Sequence, residues 1–222
     1  LSLTVKKNSE GVKAGKIHIH GEYMELDIEV PVKENISDVL DNNTYVFNDS
    51  YVAIEAGHFA DNTEGSGRFV ELLGFGKMVS GMKAFPVEKT YVPGKDAPYL
   101  TYKVYVKDAG KYGVTLYIGP SNPPYKDYKL NYGIACNNDD IKIINAIPED
   151  FGIYDGNASW EYGPLNNIRL TSSEFELKEG VNEIRVYAGS PGFVLEKLVI
   201  NKIDKPVAYG YFGPVETSFY KK

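Results

Sequence analysis

Two loops of the sequence combine aromatic side chains with amides, a mixture that suits sugar binding. A pyranose ring stacks its C–H groups on an exposed aromatic face, while neighbouring amides and carboxylates hydrogen-bond its hydroxyls. The residues of this kind in the two loops are Trp160, Tyr162, Asn166, Asn167, Tyr125 and Tyr128. Two alternatives stay open: Trp160 fills one end of the core, and the two asparagines close backbone turns.

Glu196 lies in a run whose alternate residues are apolar. It shares parity with Val194, Leu198 and Ile200, so we expect its side chain to point towards an apolar layer. An unpaired carboxylate is costly there, and some group must compensate it. A lysine or arginine partner is the default interpretation.

The other titratable residues give little indication of a catalytic or metal site. A glycosidase needs two carboxylates roughly 5 to 10 Å apart across a sugar-sized cleft. The loop acids offer no pair in such a setting: Asp139, Asp140, Glu149, Asp150 and Asp155. His18 and His20 share one strand face, which an exposed polar surface explains better than a metal site. His58, beside the next strand, is expected to be structural. An independent hydrolase is therefore only a third alternative.

The segments that position these residues alternate with period two, which is typical of β-strands. The alternating runs are 17–20, 26–30, 52–56, 100–106, 114–118, 130–136, 141–147, 168–170, 184–188 and 194–200, and the first two form a hairpin turning at Gly21 and Glu22. No segment of ten or more residues has a helical period free of Gly and Pro, and 37–42 is at most one helical turn. The fold class is all-β, and long connections favour an antiparallel sandwich over a closed barrel.

Composition narrows the function classes. The 222 residues carry a formal net charge of -6, so no basic face is available for nucleic acid or anionic lipid. No apolar run approaches the roughly 18 residues of a membrane-spanning helix. The 18 tyrosines suit both strands and flat amphipathic ligands, and Cys136 is alone, so no internal disulfide is expected.

The polar segment 33–49 is the predicted linker between two parts. Residues 1–48 contain too few strands to form a hydrophobic core of their own. We therefore interpret them as the last strands of a neighbouring sandwich plus the linker. The sandwich is predicted over 49–216, followed by a tail at 217–222. Because Leu1 replaces an initiator Met, we expect the chain to be processed or cut from something longer.

Seven segments, taken in order, resemble the C-terminal β-sandwich of glycoside hydrolase family 115. They are 51–59 (YVAIEAGHF), 73–77 (LGFGK) running to Phe85 and Pro86, 99–102 (YLTY), 119–121 (GPS) with 130–133 (LNYG), Trp160 with 165–168 (LNNI), 190–200 (SPGFVLEKLVI) and 211–216 (YFGPVE). The resemblance implies an α-glucuronidase parent that removes glucuronic acid or its 4-O-methyl ether from xylan. It also implies a catalytic domain upstream of Leu1 and an Ig-like origin for the first hairpin.

The sandwich is also similar to jelly-roll carbohydrate-binding modules of families 6 and 35. Those modules open with a Glu-Ala-Glu strand and close with a strand that bears an acidic calcium ligand. Glu55, Ala56 and Gly57 stand at the opening here, so the second acid is missing, and Phe193 replaces an asparagine before the last strand. The resemblance implies a structural calcium ion shared by Glu55 and Glu196, as an alternative to a basic partner.

The expected function is a non-catalytic, carbohydrate-associated domain of a secreted or cell-surface bacterial hydrolase of plant polysaccharide. Its expected ligand is xylan or an oligosaccharide decorated with glucuronic acid. The alternative is an architectural domain that docks on the catalytic domain or forms a homodimer and binds no sugar.

Overall fold

The computed structural model describes residues 14–22, 24–31, 40, 43–47, 50–127, 129–205, 207, 211–217 and 219–220. The chain divides into two compact units, Leu1–Val39 and Leu40–Lys222. No helix in the described residues is long and apolar enough to cross a membrane.

The first unit contains an antiparallel hairpin of β1 (Ala14–Gly21) and β2 (Met24–Pro31). The predicted hairpin is present, and Gly21 pairs with Met24, so its turn lies one residue later than expected. His18 bonds Asp27 across the strands, and His20 Nδ1 lies 3.1 Å from Glu25 Oε1. Both histidines are exposed and face carboxylates, as expected of a polar face.

The second unit is a sandwich of two sheets. Its strands are β3 (Thr44–Val46), β4 (Tyr51–Glu55), β5 (Asp61–Thr63), β6 (Arg68–Leu73), β7 (Ser80–Phe85), β8 (Tyr99–Val106), β9 (Gly110–Ile118), β10 (Asn131–Cys136), β11 (Lys142–Asn145), β12 (Arg169–Leu177), β13 (Gly180–Tyr187), β14 (Val194–Lys202) and β15 (Phe219–Tyr220). One sheet has the order β11-β10-β13-β8-β3-β15 with β5 on β8, and the other has β12-β9-β14-β7-β6 with β4 on β14. Among the described pairs only β3 with β8 is parallel. The predicted antiparallel sandwich is therefore confirmed.

The core lies between the two sheets and consists of the side chains that alternate strand residues point towards the opposite sheet. Val104, Val114, Leu116, Ile184 and Leu198 are fully buried in it, as the period of two predicts. Tyrosines contribute as well, because the fully buried side chains include Tyr45, Tyr102, Tyr117 and Tyr132. Part of the tyrosine excess therefore serves the core.

The structure extends the predicted elements in three places. Strand β3 lies within the segment 33–49 that the sequence analysis assigned to the linker, yet it pairs with β8 of the sandwich. Strands β6 and β7 form a hairpin that the period-two pattern missed. A nine-residue helix, α1 (Ala158–Asn166), occupies a connection that was expected to be a loop.

Most of the candidate site residues lie at one end of the sandwich, near the start of β14. The backbone N–H of Ala56 donates to Glu196 O at 3.0 Å, and that of Gly119 donates to Val194 O at 2.9 Å. The connections after β4 and β9 therefore begin beside the first residues of β14. Arg169, the first residue of β12, pairs with Ile118 at the end of β9, so α1 lies at the same end.

Candidate functional site

Helix α1 is fixed by side-chain hydrogen bonds at both termini. Asn157 is the N-cap, and its Oδ1 accepts from Trp160 N at 2.8 Å. Asn157 Nδ2 donates to Asp150 O at 2.8 Å, and Ser159 Oγ donates to Asp150 Oδ1 at 2.7 Å. Asn167 ends the helix in the left-handed region, with φ of 50°. The helix is thus held by its caps, since its apolar residues form no regular stripe.

The predicted sugar-contacting residues on α1 divide between its two faces. Tyr162 and Leu165 are 44% and 77% exposed, and Asn166 beside them donates from Nδ2 to Tyr162 O at 2.8 Å. Trp160 is half-buried against the core, and its Nε1 is buried without a hydrogen-bond partner in the described part of the chain. The structure thus places Trp160 against the core, leaves Tyr162 exposed and Asn166 partly exposed, and puts Asn167 at the exposed C-cap of the helix.

The second aromatic loop lies beside α1. Tyr125, in the connection between β9 and β10, is 52% exposed, and Tyr128 falls outside the described residues. A Cβ added to Gly163 of α1 would lie 3.2 Å from both Pro120 Cβ and Arg169 Nη2. A larger residue at this position would need these neighbours to shift slightly, so the glycine suits the close approach of the helix to the loop.

Arg169 is buried beneath α1 and has no carboxylate partner among the described residues. Its Nη1 donates to Ser159 O at 3.5 Å, and its guanidinium lies 5.3 Å from the ring centroid of Phe151. Burial lowers the pKa of Arg169, and its Nε is left without a hydrogen-bond partner. This end of the sandwich therefore holds a buried positive charge that no carboxylate of the described residues neutralises.

Glu196 is fully buried, as its parity predicts. Its compensation differs from the expectation, because backbone amides replace a basic side chain. Its Oε2 accepts from Lys77 N at 2.9 Å and from Met78 N at 3.2 Å. Its Oε1 has no hydrogen-bond partner within the described segments, and burial raises its pKa. The tight loop at 74–79 makes this arrangement, since Gly76 has φ of +71° and a Cβ there would lie 2.2 Å from Glu196 Oε1.

The basic partner belongs to Glu55 instead. Lys197 Nζ lies 2.9 Å from Glu55 Oε1 and donates to Pro214 O at 3.1 Å and to Phe212 O at 3.4 Å. The pairing register shifts between Leu195 and Lys197, a β-bulge beside the buried residues Glu196 and Lys197. Lys197 already occupies Glu55 Oε1, so the donor set does not suit a calcium ion shared by Glu55 and Glu196, even though Glu196 Oε1 has no hydrogen-bond partner among the described residues. The described residues contain no group of three or more His, Cys, Asp or Glu arranged to hold a metal.

A half-open cleft of about 380 Å³ lies beside this ion pair, a site that the sequence analysis missed. Glu216 forms its wall and accepts from Tyr45 Oη at 3.0 Å, Glu55 N at 2.9 Å and His58 Nδ1 at 2.9 Å. His58 thus ties the connection after β4 to the segment 211–217. The sequence did contain a pointer to Glu216, because this residue is the last one of the seventh segment that resembles family 115.

The rim of the cleft is apolar. Val79, Phe212 and Val215 line it and are 73%, 64% and 79% exposed. The loop acids Asp139, Asp140, Glu149, Asp150 and Asp155 are exposed as well. Exposed loop acids of this kind do not form the enclosed carboxylate pair that a glycosidase requires.

Comparison with known proteins identifies the second unit. Residues 44–216 match the family model described as the glycosyl hydrolase family 115 C-terminal domain. Among solved structures, the chain is similar to a family GH115 4-O-methyl-α-glucuronidase with specificity for decorated arabinogalactans, at 13% identity and a TM-score of 0.52. That match covers 69% of this chain and 18% of the glucuronidase, so the chain spans less than a fifth of that relative.

Two isolated carbohydrate-binding modules are also similar. A family 35 module from Clostridium thermocellum matches at 21% identity and a TM-score of 0.45, covering 67% of this chain and 97% of the module. The C-terminal family 6 module of a laminarinase from Zobellia galactanivorans matches at 12% identity and a TM-score of 0.44, covering 68% of this chain and 99% of the module. No curated protein matches the sequence significantly.

Proposed function

Since the chain belongs to the glycosyl hydrolase family 115 C-terminal domain family, we propose that it binds sugar non-catalytically for a hydrolase of plant polysaccharide. Its ligand is xylan or an oligosaccharide decorated with glucuronic acid, and the parent is a secreted or cell-surface bacterial xylan α-glucuronidase with its catalytic domain upstream. The solvent face of α1 carries the binding.

The exposed side chains of α1 support this proposal most directly. Tyr162 and Leu165 are one turn apart on the same face, and the partly exposed Asn166 follows on the same side with its Nδ2 bonded to Tyr162 O. A pyranose could stack on the Tyr162 ring while its hydroxyls bond the Asn166 amide. Trp160 packs against the core on the buried side of the helix, and Tyr125 adds an exposed ring in the loop whose Pro120 approaches Gly163.

The buried charge beneath the platform supports an acidic sugar. Arg169 has no carboxylate partner among the described residues, and Lys126 and Lys129 are exposed in the adjacent loop. A uronic acid would meet a local positive potential here despite the net charge of -6. A shallow face buries little area, so the expected Kd is on the order of 10 to 1000 μM.

A second candidate function rests on the apolar rim of the cleft. Val79, Phe212 and Val215 form an exposed apolar group beside Tyr211, which is itself exposed. Exposed apolar groups of this kind mark protein contacts. In this architectural alternative the rim docks on the upstream catalytic domain, and a homodimer contact is the other arrangement it would serve.

Calorimetric titration of the 222-residue chain with xylo-oligosaccharides bearing glucuronic acid separates the two candidates. Tyr162→Ala should abolish the heat of binding, and Tyr211→Ala, a matched tyrosine on the rim, should leave it unchanged. Loss of binding in Tyr211→Ala alone, or no binding by the unchanged chain at millimolar ligand, would contradict the proposal for α1. Circular dichroism of both variants checks that each remains folded.

A further inference from the structure

Lys197 is surrounded by oxygen atoms of the kind that usually bind a metal. It is 3% exposed, in the middle of the central strand β14. Its ammonium contacts the carboxylate of Glu55 and the backbone carbonyls of Phe212 and Pro214. Carboxylates and backbone carbonyls are the ligands that calcium takes in proteins. We call Glu55 Oε1, Phe212 O and Pro214 O the oxygen cage.

We propose that the ammonium of Lys197 is a built-in cation that takes the place of a structural metal ion in the oxygen cage. The sandwich then needs no calcium, and the charge that holds its segment 211–217 in place is covalently attached to β14. This inference does not depend on sugar binding.

Charge and distance exclude simultaneous occupation by lysine and calcium. Calcium bonds oxygen at roughly 2.3 to 2.6 Å, and the ammonium already lies 2.9 Å from Glu55 Oε1. Both cations on one carboxylate would be close enough for strong repulsion in a buried setting. Glu196 accepts from the amides of Lys77 and Met78 through Oε2, which leaves Oε1 as its one oxygen without a hydrogen-bond partner among the described residues.

Gly57 supports the same conclusion from the other side of the cleft. A Cβ at Gly57 would lie 2.6 Å from Glu71 Oε1 and 3.4 Å from Ser80 Oγ. Ser80 Oγ donates to Glu71 Oε1 at 2.7 Å, so this pair fills the space into which a side chain at position 57 would project. An additional acidic ligand at position 57 would therefore have to displace the Glu71 carboxylate.

The cage fixes one wall of the cleft. Lys197 holds the carbonyls at 212 and 214, and Glu216 is held by Tyr45, Glu55 N and His58. Thr217 N continues the attachment by donating to Ala53 O at 3.0 Å. Removing the ammonium leaves a buried carboxylate and two carbonyls without their donor, so it should loosen this segment.

Thermal unfolding of the 222-residue chain in EDTA and in millimolar calcium tests the proposal. The unchanged chain should melt at the same temperature in both. Lys197→Ala empties the cage and should melt roughly 6 to 20 °C lower in EDTA, the usual range for breaking a buried ion pair in a domain of this size. Calcium should then recover part of that loss, because a ligand that binds only the folded state stabilises it.

Two controls complete the design. Lys197→Met keeps the length of the side chain without its charge, and it should melt low in EDTA and in calcium alike, since the thioether fills the space for an ion. Lys202→Ala removes a more exposed lysine paired with Asp108 and should change the melt little.

Three results would overturn the proposal. They are calcium-dependent melting of the unchanged chain with stoichiometric bound calcium, a Lys197→Met variant as stable as the unchanged chain, and a Lys197→Ala variant that calcium does not stabilise. Should Lys197→Ala fail to fold, Lys197→Met and the unchanged chain still decide the outcome.

Discussion

Replacing Gly76 by alanine would place a methyl group against the buried carboxylate of Glu196. The new Cβ would lie 2.2 Å from Glu196 Oε1 and 2.7 Å from Oε2, distances at which either the loop or the carboxylate must move. The residue also has φ of +71°, where an L side chain is strained. Two separable costs therefore act at this position.

Gly74, two residues earlier in the same loop, separates these costs. Its φ of +68° is nearly the same, but a Cβ there would meet nothing within 4 Å. Gly74→Ala should therefore lower the free energy of unfolding by only the backbone term of about 1 to 2 kcal/mol. Gly76→Ala should lose the same amount plus about 1.5 to 3 kcal/mol for disrupted hydrogen bonds to a charged group. The expected difference is thus about 1.5 to 3 kcal/mol.

Urea unfolding followed by fluorescence measures both variants, with linear extrapolation to water. A double-mutant cycle with Glu196→Ala then assigns the difference, because shortening residue 196 removes the clash. In that background the two glycine substitutions should cost the same. Equal costs of Gly74→Ala and Gly76→Ala in the unchanged background would refute the described contact between the loop and Glu196.

Two further predictions concern the helix and the thiol. Asn157→Ala removes the N-cap of α1 and should lower the free energy of unfolding, measured in urea, by about 1 to 2 kcal/mol. The control, Asn166→Ala on the solvent face, should change this free energy little. Equal effects of the two substitutions would contradict the capping role of Asn157. Burial raises the pKa of Cys136 to about 12. In the folded protein at about pH 8 the thiol should therefore not react with a disulfide reagent, whereas in denaturant it should react rapidly. Rapid labelling of the folded chain would contradict the burial of Cys136.

The strands that alternate most regularly could be predicted from the sequence because one of their faces is buried and the other is not. Strands β8, β9 and β13 are closest to this pattern, whereas the first seven residues of β14 are buried on both faces. Strand β6 was missed because its burial is uneven: Phe69 is buried, whereas Leu73 is among the most exposed apolar residues. Tertiary pairing with β7 forms this strand where the local pattern does not indicate it.

Helix α1 could not be predicted from periodicity. Its stability comes from the caps Asn157 and Asn167 and from packing of Trp160 and Gly163 beneath it. These are contacts between single side chains and backbone groups, and they leave no repeating apolar signal in nine residues.

The chemistry near β14 was predicted in part. Parity indicates that Glu196 is buried, and the structure agrees. The parity rule does not foresee the burial of Lys197, because segment 211–217 covers it: its ammonium donates to Phe212 O and Pro214 O. A lysine partner was therefore the right kind of group, but it neutralises Glu55. The amides of Lys77 and Met78 could not be foreseen, since a loop conformation places them.

The central claim is that the solvent face of α1 binds an acidic xylo-oligosaccharide. Amide chemical shifts of the isotopically labelled 222-residue chain, recorded during titration with xylo-oligosaccharides bearing glucuronic acid, test it residue by residue. The account predicts saturable shifts concentrated at Tyr162, Leu165, Asn166 and Tyr125. Shifts confined to 211–217, or none at millimolar ligand, would contradict it.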